Sequence, residues 1–199
     1  MITGLTDNEL VRLMLGGDKE AFTELYRRRH GIVYGFALQM TGARELAEDV
    51  TQEVFMVLMR EGGSYDEKRG SVKAFLLGVT RNYVLRRLKQ ERSFVSMEDV
   101  VDDIAVFDHS GANESLIRSE SIDEMRQAIL NLPAHYREVV VLCELQELSY
   151  AEASEVLGCA IGTIRSRLHR ARMMLTERLN SAQDNSAPSK IVKSARCFA

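Results

Sequence analysis

Apolar residues recur along this chain at intervals of three and four, the spacing of one face of an α-helix. Thr6 and Glu9 form a capping box that opens a short helix, closed by Gly16-Gly17. Asp18 caps a second helix with apolar positions Phe22, Leu25, Tyr26, Ile32, Val33, Phe36, Ala37 and Met40, ending at Thr41-Gly42. The basic run Arg27, Arg28, Arg29, His30 interrupts it. A third helix, from about Ala43 to Arg60, buries Leu46, Ala47, Val50, Val54, Val57 and Leu58. Its other side carries Glu45, Glu48, Asp49, Gln52, Glu53 and Met56, an acidic and amide stripe at helical spacing. Gly62-Gly63 ends it, and the loop 64–70 follows. The next helix, Ser71 to about Gln90, starts apolar at Val72, Phe75, Leu76, Val79 and Tyr83. It ends basic, with Arg81, Arg86, Arg87, Lys89 and Arg92 against Glu91.

The pattern then changes. Residues 93–124 hold nine Asp or Glu against one Arg118, interspersed with Ser, Gly and Asn. Such a segment has too little apolar surface to offset the entropy of ordering, so it is expected to be a mobile linker that repels DNA. A capping box at Ser121 and Glu124 is expected to open the second domain. Pro133 suits the first turn of the following helix, which carries Tyr136, Val139, Val140, Leu142 and Leu145.

From Ser149 to Leu179 the chain reads as two helices joined by a tight turn. Ser149 and Glu152 form a capping box for the first, with Ala151, Ala153, Val156 and Leu157 as its apolar side. Gly158 is a left-handed stop. In the second helix Ile164, Leu168, Ala171, Leu175 and Leu179 mark the inward face. At 100° per residue, Gly162, Ser166, His169, Arg170 and Met173 then point outward, flanked by Thr163 and Arg165. Five arginines stand against one glutamate between Ile161 and Arg178. A short helix, a glycine turn and an arginine-studded second helix describe a helix-turn-helix, whose second helix enters the major groove. The rival is a helical hairpin with a solvated charged face. The polar tail from Ser181 is expected to be disordered.

Composition narrows the function classes. The apolar fraction of 45% is enough for a packed core, and two prolines with rare β-branched alternation leave an all-helical chain. The fold expected is all-α: two small helical domains joined by an acidic flexible linker, the C-terminal one a helix-turn-helix. The net charge of −3 excludes a general polycation, so any contact with nucleic acid rests on local basic patches. Cys143, Cys159 and Cys197 form no CxxC pair, and a reduced cytoplasmic setting fits. No apolar run approaches the length of a membrane span, and the N-terminus does not read as a signal peptide. Four scattered histidines and the linker pair Asp102-Asp103 make no catalytic constellation. The expectation is therefore a non-enzyme without metal, cofactor or small-molecule substrate.

LPAHYREVVVLCELQELSYAEASEVLGCAIGTIRSRLHRAR, ending at Arg172, resembles the fourth region of the extracytoplasmic-function sigma factors, the small sigma subunits of bacterial RNA polymerase. AEDVTQEVF, Ala47 to Phe55, resembles the stretch of region two that docks on polymerase, and Leu76 to Asn82 the part that reads the minus-10 element. The resemblance spans roughly residues 8 to 180. Phe75 stands where the family usually has tryptophan, and Ala160 where a capping Ser, Asn or Pro is common. It implies a region two domain at 1–92, a linker at 93–120, a region four domain at 121–182 and a tail at 183–199. It also implies bacterial core RNA polymerase, promoter DNA and an anti-sigma factor as partners. Polymerase would meet Glu48, Asp49, Gln52, Glu53 and Met56. Minus-10 DNA would meet Tyr65, Lys68, Arg81, Asn82, Arg86, Arg87 and Lys89. Minus-35 DNA would meet Thr163, Arg165, Ser166, Arg167, His169, Arg170 and Arg172. A helix-turn-helix regulator that binds its operator alone, and a helical adaptor that binds only proteins, are the other readings.

Overall fold

A computed structural model of the chain describes residues 2, 4–95 and 116–186, which form eight α-helices. These are α1 (Asp7–Leu15), α2 (Lys19–Thr41), α3 (Arg44–Glu61), α4 (Val72–Val95), α5 (Leu116–Leu130), α6 (Ala134–Val140), α7 (Tyr150–Leu157) and α8 (Ile161–Ser186). The centre of the acidic linker and the last residues of the tail, Cys197 included, lie outside the described residues, so the expected mobility of both does too. The capping chemistry appears as the sequence predicts. At Thr6 and at Ser149 the hydroxyl accepts from the amide three residues on, and the Glu9 and Glu152 carboxylates accept from the cap amides at 2.7 and 3.0 Å. Asp18 accepts from the amides of Glu20 and Ala21.

Three helix ends differ from expectation. α4 runs past Gln90 to Val95, α5 begins at Leu116 ahead of the Ser121–Glu124 box, and α8 continues past Ser181 to Ser186. No glycine or proline stands within those stretches to stop a helix, and a capping box only favours a start where the preceding turn is not itself helical. The helix after Pro133 also departs from regularity. α6 passes into one π-helical turn over Val141–Leu145, which places Leu145 at the surface rather than in the core.

α1 to α4 build the first half of the core around Leu10, Leu25, Phe36, Met40, Leu58, Leu76 and Leu77, all essentially without solvent exposure. The basic run on α2 is neutralised locally. Glu24 accepts from Arg27 and Arg28, and Asp7 pairs with Arg28 and Arg29, which ties α1 onto α2. Hydrogen bonds from Arg27 and Arg28 pull the Glu24 carboxyl down to about 2. α4 corrects the sequence expectation. Its buried positions are Val72, Ala74, Leu76, Leu77, Thr80 and Val84, whereas Phe75, Val79 and Tyr83 are only half-buried. α4 has packed neighbours on two sides, α2 and α3 on one and α7 on the other, so no single stripe describes it.

The second half does not stand apart. α5 and α6 pack on α2, and α7 packs on α4, so Val139, Leu142, Ala153 and Ile164 join one continuous core with the first half. The seam turns on Arg137, whose side chain is almost wholly buried. Its guanidinium donates to the carbonyl of Met40 at 2.6 Å, in the last turn of α2. It also donates to Leu130, the last residue of α5, and to Leu132 at 3.1 Å. The last carbonyls of a helix have no partner within it and carry its negative partial charge. One cation therefore caps two helix ends that belong to different halves of the chain. Burial pulls the guanidinium down to about 10, still protonated at neutral pH.

Arg137→Leu strands these buried carbonyls, each costing about 1–3 kcal/mol when unsatisfied. It is expected to destabilise the chain by about 3 kcal/mol or more, read from the urea midpoint. Arg137→Lys keeps the charge without the planar fork and should fall between.

Candidate nucleic-acid interface

The turn between α7 and α8 is set by Gly158, which ends α7 at φ 63°, a left-handed conformation that glycine adopts without strain. Ala153 of α7 meets Ile164, Leu168 and Ala171 of α8 in the core. With that face inward, Gly162, Arg165, Ser166, His169, Arg170, Arg172 and Met173 are exposed, and Thr163 and Arg167 are half-buried at the flanks. The outward pole has the composition that the helical spacing predicts. Arg165 lies over the Tyr150 ring at 5.9 Å, and Ser166 Oγ donates to the carbonyl of Thr163. Arg172 pairs with Glu144, whose carboxylate raises the affinity of the guanidinium for its proton. Among the described residues Arg170 has no acidic partner.

On α3, Glu48, Asp49, Gln52 and Met56 are exposed and Glu53 half-buried, so the stripe forms one face. The half-exposed Tyr26 ring of α2 packs edge-on against Phe55, 4.7 Å away.

The third set of residues gathers around α4 and the loop before it. Tyr65 is half-buried; its hydroxyl donates to Asn8 Oδ1 at 2.7 Å and lies 3.0 Å from the Gly70 carbonyl. Burial raises the Tyr65 phenol further above neutrality. Lys68 is exposed on a single 3-10 turn that Asp66 caps. Phe75 is half-buried against the core, its ring meets Tyr65 at 5.4 Å, and it borders a cleft of about 300 Å³. Asn82 borders the same cleft. Arg86 is exposed beside the Tyr83 ring, Lys89 is exposed, and Arg87 is half-buried. Arg81 is tied to the other half of the protein. Its Nε donates to Glu138 Oε1 at 2.8 Å and its Nη2 to Oε2 at 3.3 Å.

The sequence reading missed the residues that join the halves. Arg137 and Glu138 stand side by side in the apolar run of α6, and that adjacency was the available signal. Ser71 Oγ donates to Glu152 Oε1 at 2.8 Å, and Gln146 Nε2 donates to Gln39 Oε1 at 3.2 Å. Nothing in local spacing announces either. Burial pushes the Glu152 carboxyl up, but hydrogen bonds from Ser149 and Ser71 outweigh it, leaving the carboxyl below its usual range. Burial raises the Cys143 thiol to about 11, which keeps it protonated at neutral pH. Among the described residues no group of three or more His, Cys, Asp or Glu is placed to hold a metal ion. No helix there is long and apolar enough to cross a membrane.

Known proteins share this arrangement. The Sigma-70 region 2 family matches residues 25–94, and the Sigma-70 region 4 family matches residues 122–175. The ECF RNA polymerase sigma factor SigE of Mycolicibacterium smegmatis is 32% identical over 178 residues, covering 87% of this chain and 68% of its own. The ECF RNA polymerase sigma factor SigM of Mycobacterium tuberculosis strain H37Rv is 30% identical over 176 residues, covering 87% of this chain and 85% of its own. Among solved structures, the sigma factor RpoE of Bartonella quintana, in complex with the anti-sigma factor NepR, superposes with a TM-score of 0.66. The two are 28% identical, and the match covers 80% of this chain and 96% of that one.

Proposed function

Because the chain belongs to the extracytoplasmic-function sigma factors of bacterial RNA polymerase, we propose that three of its surfaces divide the work of promoter-specific initiation. The exposed stripe Glu48, Asp49, Gln52, Glu53 and Met56 docks on core polymerase, where carboxylates meet a basic surface. Tyr65, Lys68, Arg81, Asn82, Arg86, Arg87 and Lys89 hold the opened minus-10 strand. Cations there track phosphates, and the aromatic cleft receives an unstacked base, which lowers the cost of melting. Thr163, Arg165, Ser166, Arg167, His169, Arg170 and Arg172 lie against the minus-35 major groove. The single observation that carries this reading is the outward pole of α8, where small and hydrogen-bonding residues stand clear of the core beside arginines. A protein of this kind gives specificity to the enzyme it joins and performs no chemistry of its own. It works in the cytoplasm, and an anti-sigma factor restrains it, as one accompanies the relative from Bartonella quintana.

The direct test is to mix the purified chain with bacterial core polymerase and sequence the transcripts that start. Start sites that share minus-10 and minus-35 elements are expected. Operator binding by the chain alone, with no change in core specificity, would instead identify a plain helix-turn-helix regulator. Asp49→Lys should leave stability within about 0.5 kcal/mol, since it changes an exposed side chain, while co-purification with core falls sharply. Unchanged co-purification would remove the stripe from the docking surface.

The faces of α8 give a second prediction. Ser166, His169 and Arg170 are assigned to bases, and Arg165, Arg167 and Arg172 mainly to phosphates. A bidentate arginine–guanine pair contributes about 1–3 kcal/mol of discrimination, so Arg170→Ala should relax preference at one or two promoter positions. Arg172→Ala should weaken every promoter alike and lower the salt slope by about one. A promoter library transcribed by each holoenzyme reads both. A logo altered by Arg172→Ala and untouched by Arg170→Ala would reverse the assignment.

A further inference from the structure

α1 contributes no residue to the three proposed surfaces, yet it touches the loop that one of them uses. Residues 62–70 make little core of their own: Gly62 is buried, Tyr65 and Gly70 are half-buried, and the rest are exposed. Ordering a segment costs backbone entropy at every residue, and this one buries little apolar surface to offset it. α1 holds it at three points. Gly62 lies directly on the end of α1, where a Cβ would come within 3.2 Å of Met14 Cε and 3.3 Å of Leu15 Cδ2. The Tyr65 hydroxyl donates to Asn8 Oδ1 at 2.7 Å. Glu67 accepts from Arg12. Asn8 and Arg12 are four residues apart, one turn along the same face of α1. α1 is itself anchored on its other sides. Leu10, Val11 and Met14 are buried, Asp7 pairs with Arg28 and Arg29 of α2, and Arg28 Nη1 donates to the Leu5 carbonyl at 2.6 Å.

We propose that α1 braces the minus-10 loop, with Asn8 as the positioning residue that holds the Tyr65 ring ready for an unstacked base. The exposed Arg12–Glu67 pair is a weak tether, because solvent and side-chain entropy offset most of its attraction. The Asn8–Tyr65 bond is partly sheltered and fixes a direction. It sets the ring that meets Phe75 and borders the cleft. A loop already in its binding shape loses less entropy when DNA arrives, so Asn8 contributes affinity without touching the strand. The phenol has a single proton, and the Gly70 carbonyl at 3.0 Å is the other oxygen in its reach. Removing Asn8 therefore strands no donor; it cuts the tie to α1 and leaves the fold intact. The inference rests on the minus-10 role proposed for Tyr65.

The test uses the full chain joined to core polymerase. Asn8→Ala is expected to weaken binding of the holoenzyme to a fork with an opened minus-10 strand about fivefold, the factor of one modest hydrogen bond. Affinity for core and for minus-35 duplex should not change, whereas loss of a merely structural contact would lower all three together. Tyr65→Phe removes the hydroxyl itself, so adding Asn8→Ala to it should cost nothing further. In the free chain, Asn8→Ala should quicken amide exchange across residues 65–70 about fivefold while α2 and α3 keep their rates. Unchanged fork binding, a uniform loss across core, fork and duplex, a further loss in the Tyr65→Phe background, or unchanged exchange overturns the inference. Each leaves the minus-10 reading standing as long as Tyr65→Ala weakens the fork. If Tyr65→Ala leaves fork binding intact, that reading of the loop falls, and the brace with it.

Discussion

One buried guanidinium organises the way this chain closes. Arg137 reaches the free carbonyls at the ends of α2 and α5, and neither end has another cation among the described side chains to cap it. Burying that charge is unfavourable in isolation, as the drop of its proton affinity to about 10 records. It is tolerated because two helix termini present oxygens to it at once, with the macrodipoles pointing their negative ends at the same place. The constraint is mutual. The second half cannot bury Arg137 without the first, and α2 cannot satisfy Met40 without the second. Around that point the seam extends through Gln39–Gln146 on one side and through Arg81–Glu138 and Ser71–Glu152 on the other.

The seam carries polar contacts at both crossings, through Met40–Arg137 and Gln39–Gln146 on α2 and through Arg81–Glu138 on α4. Of these partners Arg81 belongs to the surface assigned to DNA, whereas Ser71, just before α4, pairs with Glu152 outside it. A contact made of carboxylates on cations can be exchanged for one made of phosphates with little change in geometry. An interface of leucines there could not.

Legibility in the sequence followed how many sides of a helix are covered. α8 has one buried face over Ile161–Asn180, so its heptad-like spacing predicted which residues face out, from Gly162 to Met173. α3 behaves the same way, and its stripe is exposed nearly as drawn. α4 is sandwiched, so the spacing that selected Phe75, Val79 and Tyr83 found only one of two contact surfaces and missed Leu77, Thr80 and Val84. The seam was beyond reach for another reason. Arg81 and Glu138 are 57 residues apart and Met40 and Arg137 are 97 apart, so no local period links them. Capping boxes at Thr6 and Ser149 were readable because their partners are three residues away. The box at Ser121 misled because a helix already in progress has no need of a cap.

The central claim is that Arg137 joins the two halves of the free chain by capping α2 and α5 at once. Spin labels at Gly63 and Ala151, both exposed and in different halves of the chain, measure this most directly. In a cysteine-free background the account predicts a single short distance, replaced by a longer and broader distribution when Arg137 is changed to leucine. A chain that already shows the long distance with Arg137 present, or a distance that Arg137→Leu leaves unchanged, would contradict it.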